Sequence, residues 1–317
     1  MPARPIIAAD TSLTISLPSI DMGDAPYLVA QQKGYFAAEG LHVDFTYAGG
    51  GIATPGLIAG SVQGSASGSA ALSAILHGAD LRVIAVFDDS PAYQLWARND
   101  IRTLDDLKGK AIGIATRGDT FEVSTRLVLQ GAGFPPDAVA YTPLGFAAGA
   151  GAAFAGGGLP AVVLSRSEAR ELRDRGQLKN AHQLLDYYDK LKMPMDGFAV
   201  SEKLLADSPD LARRMTRAIV KGARYMLANK SATVAIVAQY QKDALPSAIT
   251  DDYDLFVRAF VPTLTIPNDL AAKDLLVRAT MAGVPSDQIP PLDKTYDFSL
   301  VRSIDAELDA GHWKPAP

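Results

Sequence analysis

The chain has 317 residues, of which 48% are hydrophobic and 21% charged, enough for one large or two medium domains with full cores. The net charge of −5 argues against a nucleic-acid partner, which calls for a basic face. With no cysteine there is no disulfide, no thiolate zinc site and no cysteine nucleophile. The histidines, His42, His77, His182 and His312, fall in no HxxxH or HExxH spacing, so no metal site is expected. No apolar run reaches the ~20 residues of a membrane span.

In chain order, Leu13–Leu17 reads as a strand and Pro18–Asp24 as the loop after it. Asp24 suits an N-cap and Pro26 a first helical turn. Tyr27, Ala30, Gly34 and Ala38 recur at helical spacing, which predicts one helix over Ala25–Ala38. Gly40 is placed to end it in a left-handed conformation, and Leu41–Tyr47 alternates as a strand. Gly49, Gly50 and Gly51 follow, before a short helix over Ile52–Ala59. Three glycines between strand and helix allow backbone close to a bound group, or form a simple turn; no GK[ST] follows, so this is not a P-loop. Ser69 is placed to cap a helix over Ala70–His77, and Leu81–Phe87 reads as a buried strand.

After a turn-rich break at Asp88–Pro91, Tyr93–Ala97 and Ala111–Ala115 read as strands, and Thr116–Glu122 as a loop entering a helix over Phe121–Gln130. Asp119 there is either an N-cap or a charge that opposes an anion at this helix start, unless Arg117 offsets it. Ala140–Thr142 and Ala161–Leu164 read as short strands. The Ala/Gly tract Ala147–Ala155 between them reads as a thin helix, and Ser165–Ser167 caps a helix over Glu168–Arg175. Gly197–Ser201 is a returning strand, and Ser208-Pro209 opens a long helix ending near Asn229. Helices follow at Ala232–Tyr240, Asp251–Phe260, Leu270–Met281 and Ser299–Leu308.

PYLVAQQKGYFAAEGLHVDF (Pro26–Phe45) resembles the opening signature of periplasmic solute-binding proteins of ABC importers, in the sulfonate, nitrate and thiamine-precursor (NMT1/THI5-like) group. GGGIATPGLIAG (Gly49–Gly60) and DLKGKAIGI (Asp106–Ile114) match the same group in order. Three features depart from its pattern: no acid stands within Gly60–Ser65, Leu159-Pro160-Ala161 replaces an acidic segment, and Asp119 stands where a small hydroxyl residue is common. The resemblance implies a type II periplasmic-binding-protein fold, with two doubly wound α/β lobes joined by a two-strand hinge and a ligand cleft between them. Residues 1–91 and 196–317 are expected in lobe 1, and 92–195 in lobe 2.

Ligands of open α/β sheets bind at the carboxyl ends of strands, beside helix N-termini. The expected ligand-binding set is therefore Met22, Gly23, Asp24 and Tyr27 from the first loop; Gly50, Gly51 and Ile52 from the second; and Ser67, Gly68 and Ser69 from the third. Asp88 and Tyr93 belong to the crossing, and Arg117, Asp119, Thr120, Phe146 and Ser165 to the second lobe. By resemblance Arg166 also lies near the cleft. Helix N-termini and Arg117 favour an organosulfonate or aromatic carboxylate; Asp24, Asp88 and Asp119 support the alternative, a neutral or cationic heteroaromatic such as a pyrimidine. Neither a cofactor nor a catalytic residue is expected. A pyrimidine-synthase-like or desulfinase-like enzyme on the same fold is the alternative of another class, but both types use cysteines this chain lacks. The implied partner is an ABC permease, and the protein is expected to be a periplasmic monomer. MPARPIIAAD has no continuous apolar h-region, so the leader is expected to have been removed; a cytoplasmic protein is the alternative.

Overall fold

Strand β1 (Thr11–Leu17) points Leu13, Ile15 and Leu17 into a core and pairs in parallel with β2 (Leu41–Tyr47), Thr11 opposite Leu41 and Leu17 opposite Tyr47. The computed structural model describes residues 11–316 apart from 19, 49, 146–151, 155 and 243. Where one helix was expected between the first two strands there are two, α1 (Ala25–Gln32) and α2 (Tyr35–Ala38). Gly34 adopts φ 70°, a left-handed conformation that ends α1. Gly40, at φ 68°, turns the chain into β2 as expected. Next come α3 (Gly50–Ala59), the two-residue β3 (Gly64–Ser65), α4 (Gly68–Leu76) and β4 (Leu81–Val86), buried along its whole length. Ser69 does not cap α4; it lies inside the helix, and Ser67 holds the N-cap position.

The chain then enters a second unit, made of Asp89–Met195 with Asn268–Ile289. Its strands are β5 (Tyr93–Arg98), β6 (Ala111–Ile114), β7 (Ala140–Pro143), β8 (Ala161–Ser165) and β9 (Ala181–Asp186), in the order β7-β6-β8-β5-β9. β6 is parallel to β7 and β8, while β5 runs against β8 and β9. Helices α5 (Thr120–Gly131) and α6 (Arg166–Asp174) follow β6 and β8. Of the expected Ala147–Ala155 helix, most residues lie outside those described; Ala152–Phe154 is helical and buries Phe154. β9 did not stand out in the sequence, because its six residues are all only partly buried or exposed and carry no apolar run.

The first unit resumes at Asp196. β10 (Gly197–Ser201) enters its sheet between β3 and β4 and runs against both, giving the order β2-β1-β3-β10-β4. After it come α7 (Glu202–Asp207), α8 (Pro209–Ala228), α9 (Lys230–Tyr240) and α10 (Pro246–Ala259). α8 packs against α1 so closely that a Cβ on Gly222 would sit 2.1 Å from the Pro26 carbonyl oxygen. Only glycine permits that approach without a backbone shift.

α11 (Asn268–Ala282) corrects the expected division. It belongs to the second unit, where Val277 and Met281 pack against the core formed by Leu95, Ile112, Ile114 and Leu129. The fully buried Arg278–Asp274 pair, 2.7 Å apart, lies on the same helix. The chain therefore passes between units four times rather than twice, after Asp88, Met195, Pro267 and Ile289. An amphipathic stripe states that a helix is docked, not on which core. The final helix, α12 (Ser299–Ala310), returns to the first unit and buries Val301 and Ile304. Among the described residues no helix is long and apolar enough to cross a membrane.

Candidate functional site

In the first unit β1, β2, β3 and β4 run one way and β10 the other. The carboxyl ends of four strands and the start of β10 therefore share one edge. Four aspartates gather there. Asp21 Oδ1 accepts the Gly23 N–H at 2.8 Å and caps the short 3-10 turn Met22–Asp24. This corrects the assignment of Asp24 as the cap: Asp24 holds the N-cap position of α1 but makes no side-chain capping bond. The turn instead folds Asp24 inward to 2% exposure. Its Oδ2 has no hydrogen-bond partner among the described residues.

Asp196, just before β10, stands so close that a Cβ on Gly23 would meet its Oδ2 at 2.2 Å. The Asp196 backbone N–H donates to Asp88 Oδ1 at 2.8 Å, tying the end of β4 to the start of β10. Burial pushes the Asp24 carboxyl well above the usual carboxylate range; Asp21 and Asp196 add to this, and a backbone bond from Asp21 works against it. Burial, then the charge of Asp21, raises Asp196 to about 7. Ser67, in the loop after β3, has a buried hydroxyl oxygen that also lacks a partner among the described residues.

The second unit repeats the scheme with different chemistry. Asp119 caps α5, its Oδ1 accepting the Glu122 N–H at 3.0 Å and its Oδ2 the Thr116 N–H at 2.8 Å. Glu122 is buried and accepts from Gly118 N–H at 3.0 Å, Arg126 Nε at 3.1 Å and Arg117 Nη1 at 3.4 Å. Tyr93 meets Thr120 Oγ1 through its hydroxyl at 2.8 Å and stacks on Phe121, centroids 4.2 Å apart. Ser165 forms a capping box with Glu168, and Arg166 donates to Asp186 Oδ1 at 2.7 Å.

Of the expected residues, the structure gathers Met22, Gly23, Asp24, Ser67, Gly68 and Asp88 at the first edge, and Tyr93, Arg117, Asp119, Thr120 and Ser165 at the second. Tyr27 is withdrawn into the core: it is fully buried, packs on Phe87 and Phe198, and donates its hydroxyl hydrogen to the Gly197 carbonyl at 2.7 Å. Gly50, Gly51 and Ile52 open α3, with Ile52 76% exposed. Phe146 lies outside the described residues. Sequence reasoning missed Asp21 and Asp196. The Asp21-Met22-Gly23 spacing carried a turn signal; Asp196 carried none, because only the insertion of β10 brings it beside Gly23. Among the described residues no group of His, Asp or Glu is arranged to hold a metal ion.

The NMT1/THI5-like family matches residues 23–232. A riboflavin-binding protein, RibY of Chloroflexus aurantiacus, is 28% identical over 250 residues, 76% of this chain and 69% of that protein. The alkanesulfonate-binding protein SsuA of Xanthomonas axonopodis superposes with a TM-score of 0.70 at 19% identity, over 94% of this chain and 98% of that one. A Candida albicans protein described as having the generic periplasmic-binding-protein fold gives 0.70 at 18% identity, over 90% and 96%. The fold is that of the periplasmic binding proteins, and the chain belongs to the NMT1/THI5-like family.

Proposed function

We propose that this chain is the solute-binding component of an ABC importer, acting outside the cytoplasmic membrane and delivering a small ligand to a permease, without catalysis. The RibY and SsuA relatives, named for the solutes they bind, support that reading. A desulfinase-like reaction would need a cysteine nucleophile, and the chain has no cysteine.

We further propose that the ligand is a small, flat, neutral heteroaromatic of flavin or pyrimidine type rather than an organosulfonate or aromatic carboxylate. One observation carries this: the buried, unpartnered Asp24 Oδ2 with Asp21 and Asp196 around it. An unmade hydrogen bond at a buried polar atom costs about 1–3 kcal/mol, and a ligand with a polar ring edge recovers it. A sulfonate at the same edge would bring a further negative charge to a place where burial, and then the charge of Asp21, already raises the Asp24 and Asp196 carboxyls. Arg117, the residue expected to attract an anion, is engaged with Glu122 in its own unit.

The test is a thermal-shift panel containing riboflavin, aminopyrimidines, alkyl and aryl sulfonates, aromatic carboxylates and nitrate. A ligand at 100 times its dissociation constant stabilises by ~2.7 kcal/mol, a readable shift. Shifts with riboflavin or a pyrimidine and none with the anions are expected; shifts confined to the anions refute the ligand class.

A further inference from the structure

The site just described lacks one element that a flat ring needs, a surface to lie on. Tyr27 and Phe198 are fully buried, and Tyr93 and Phe121 stack on each other. An aromatic that is not buried at the first unit's edge is Tyr47, 47% exposed. It is the last residue of β2, paired with Leu17, from which the aspartate loop departs. The next residue is stitched to the same point, Ala48 N–H donating to the Leu17 carbonyl at 3.0 Å and Ser16 Oγ to the Ala48 carbonyl at 3.3 Å.

Alternation along β2 puts Tyr47 on the face of Leu41, Val43 and Phe45, yet it is 47% exposed where Leu41 and Val43 are buried. The ring thus projects beyond the helices that cover the rest of that face. Five residues on, Ile52 is 76% exposed. Tyr240 stands near, held by Gln32, and the neighbouring Gln241 bonds the Ile20 carbonyl in the aspartate loop. Partial burial raises the Tyr47 phenol, and Tyr240 and Asp24 add to it.

We propose that Tyr47, flanked by Ile52, is the stacking platform of the binding site, on which a planar heterocycle lies with its polar edge turned to Asp24 Oδ2 and Ser67 Oγ. An apolar, aromatic surface beside a few unsatisfied polar atoms is the composition of a small-molecule site. The occupant follows from that composition: a ring with two usable faces and a hydrogen-bonding edge. The inference rests on the reading that the ligand is heteroaromatic.

The experiment titrates riboflavin, and separately an aminopyrimidine, into the wild-type protein and the variants Y47F, Y47L and D24N, by calorimetry and, for riboflavin, by fluorescence quenching. Y47L is expected to weaken binding about tenfold or more, in line with the loss of one ring–aromatic stack, and to abolish most of the quenching. Y47F keeps affinity within about threefold, since the ring and not the hydroxyl does the stacking. Unchanged melting of the partly exposed Y47L variant separates this loss from misfolding. If Y47L binds like wild type while D24N does not, the platform assignment is overturned and the heteroaromatic reading stands. If the wild type binds neither heterocycle, both fall.

Discussion

The two units set the same architectural edge to different electrostatic states. In the second unit the charged groups predicted for the site each have an opposite charge or a helix end to meet: Asp119 caps α5, Arg117 meets Glu122 as Arg126 does, and Arg166 meets Asp186, although Arg166 Nε has no partner among the described residues. In the first unit four aspartates share an edge, and the most buried of them holds an oxygen with no partner among the described residues. Buried polar groups are normally satisfied within the fold, and at this edge two that are not, Asp24 Oδ2 and Ser67 Oγ, lie on neighbouring loops, which is what the proposed ligand reading rests on. Helix N-termini alone did not discriminate the two edges, since both have them.

The largest effect that sharpens this contrast is on stability. Glu122→Gln removes the charge that holds Gly118, Arg117 and Arg126, and should lower the unfolding free energy by about 2 kcal/mol in urea denaturation, the scale of hydrogen bonds to a charged group. Asp24→Asn, an equally conservative change at the other edge, should leave the protein as stable or more stable at pH 8. Equal losses from the two substitutions would erase the distinction between the edges.

Ligand affinity should divide the same way. Asp24→Asn is expected to weaken a heterocyclic ligand about tenfold or more, scaled from a hydrogen bond of ~1.5–3 kcal/mol to a charged or strongly polar group. Arg117→Ala should change affinity less than about threefold. A tenfold loss in Arg117→Ala by calorimetry would restore the anionic reading.

The acidic edge also sets a pH dependence. Asp196 is raised to about 7 and Asp24 is raised as well, so the native state keeps protons that the unfolded chain has already released. The unfolded state then binds fewer protons, and stability falls as pH rises. That contribution is complete below the ordinary carboxylate range near 4 and is lost as pH passes through about 7. Melting temperatures across pH 4 to 8 should show this decline, and Asp196→Asn should flatten it. A wild-type profile that rises over this window would contradict the burial of these carboxyls.

The smallest effect is the stability cost of Arg117→Ala. Its side chain is 59% exposed, so the pair with Glu122 is worth under about 1 kcal/mol. A larger loss would mean that Arg117 is built into the second unit's fold.

Much of this protein is set by local sequence. β1, β2, β4 and β10 were legible from alternation or apolar runs, the long helix from Ser208-Pro209 by its stripe, and Gly40 as a stop, because periodicity, caps and left-handed glycines act within a few residues. The same local rules placed the loop that carries Asp24, and the resemblance carried by Pro26–Phe45 pointed to the family. Tertiary structure decided the rest. It assigned α11 to the second unit, withdrew Tyr27 into the core, left Tyr47 exposed and brought Asp196, 173 positions beyond Gly23 in the chain, against that glycine. Those outcomes depend on which surfaces meet across a sheet, and β10 entering between β3 and β4 is the long-range pairing that makes the acidic edge. A carboxylate's neighbours in space, not in sequence, determine whether it caps a helix, as Asp119 does, or lies buried beside other acids, as Asp24 does.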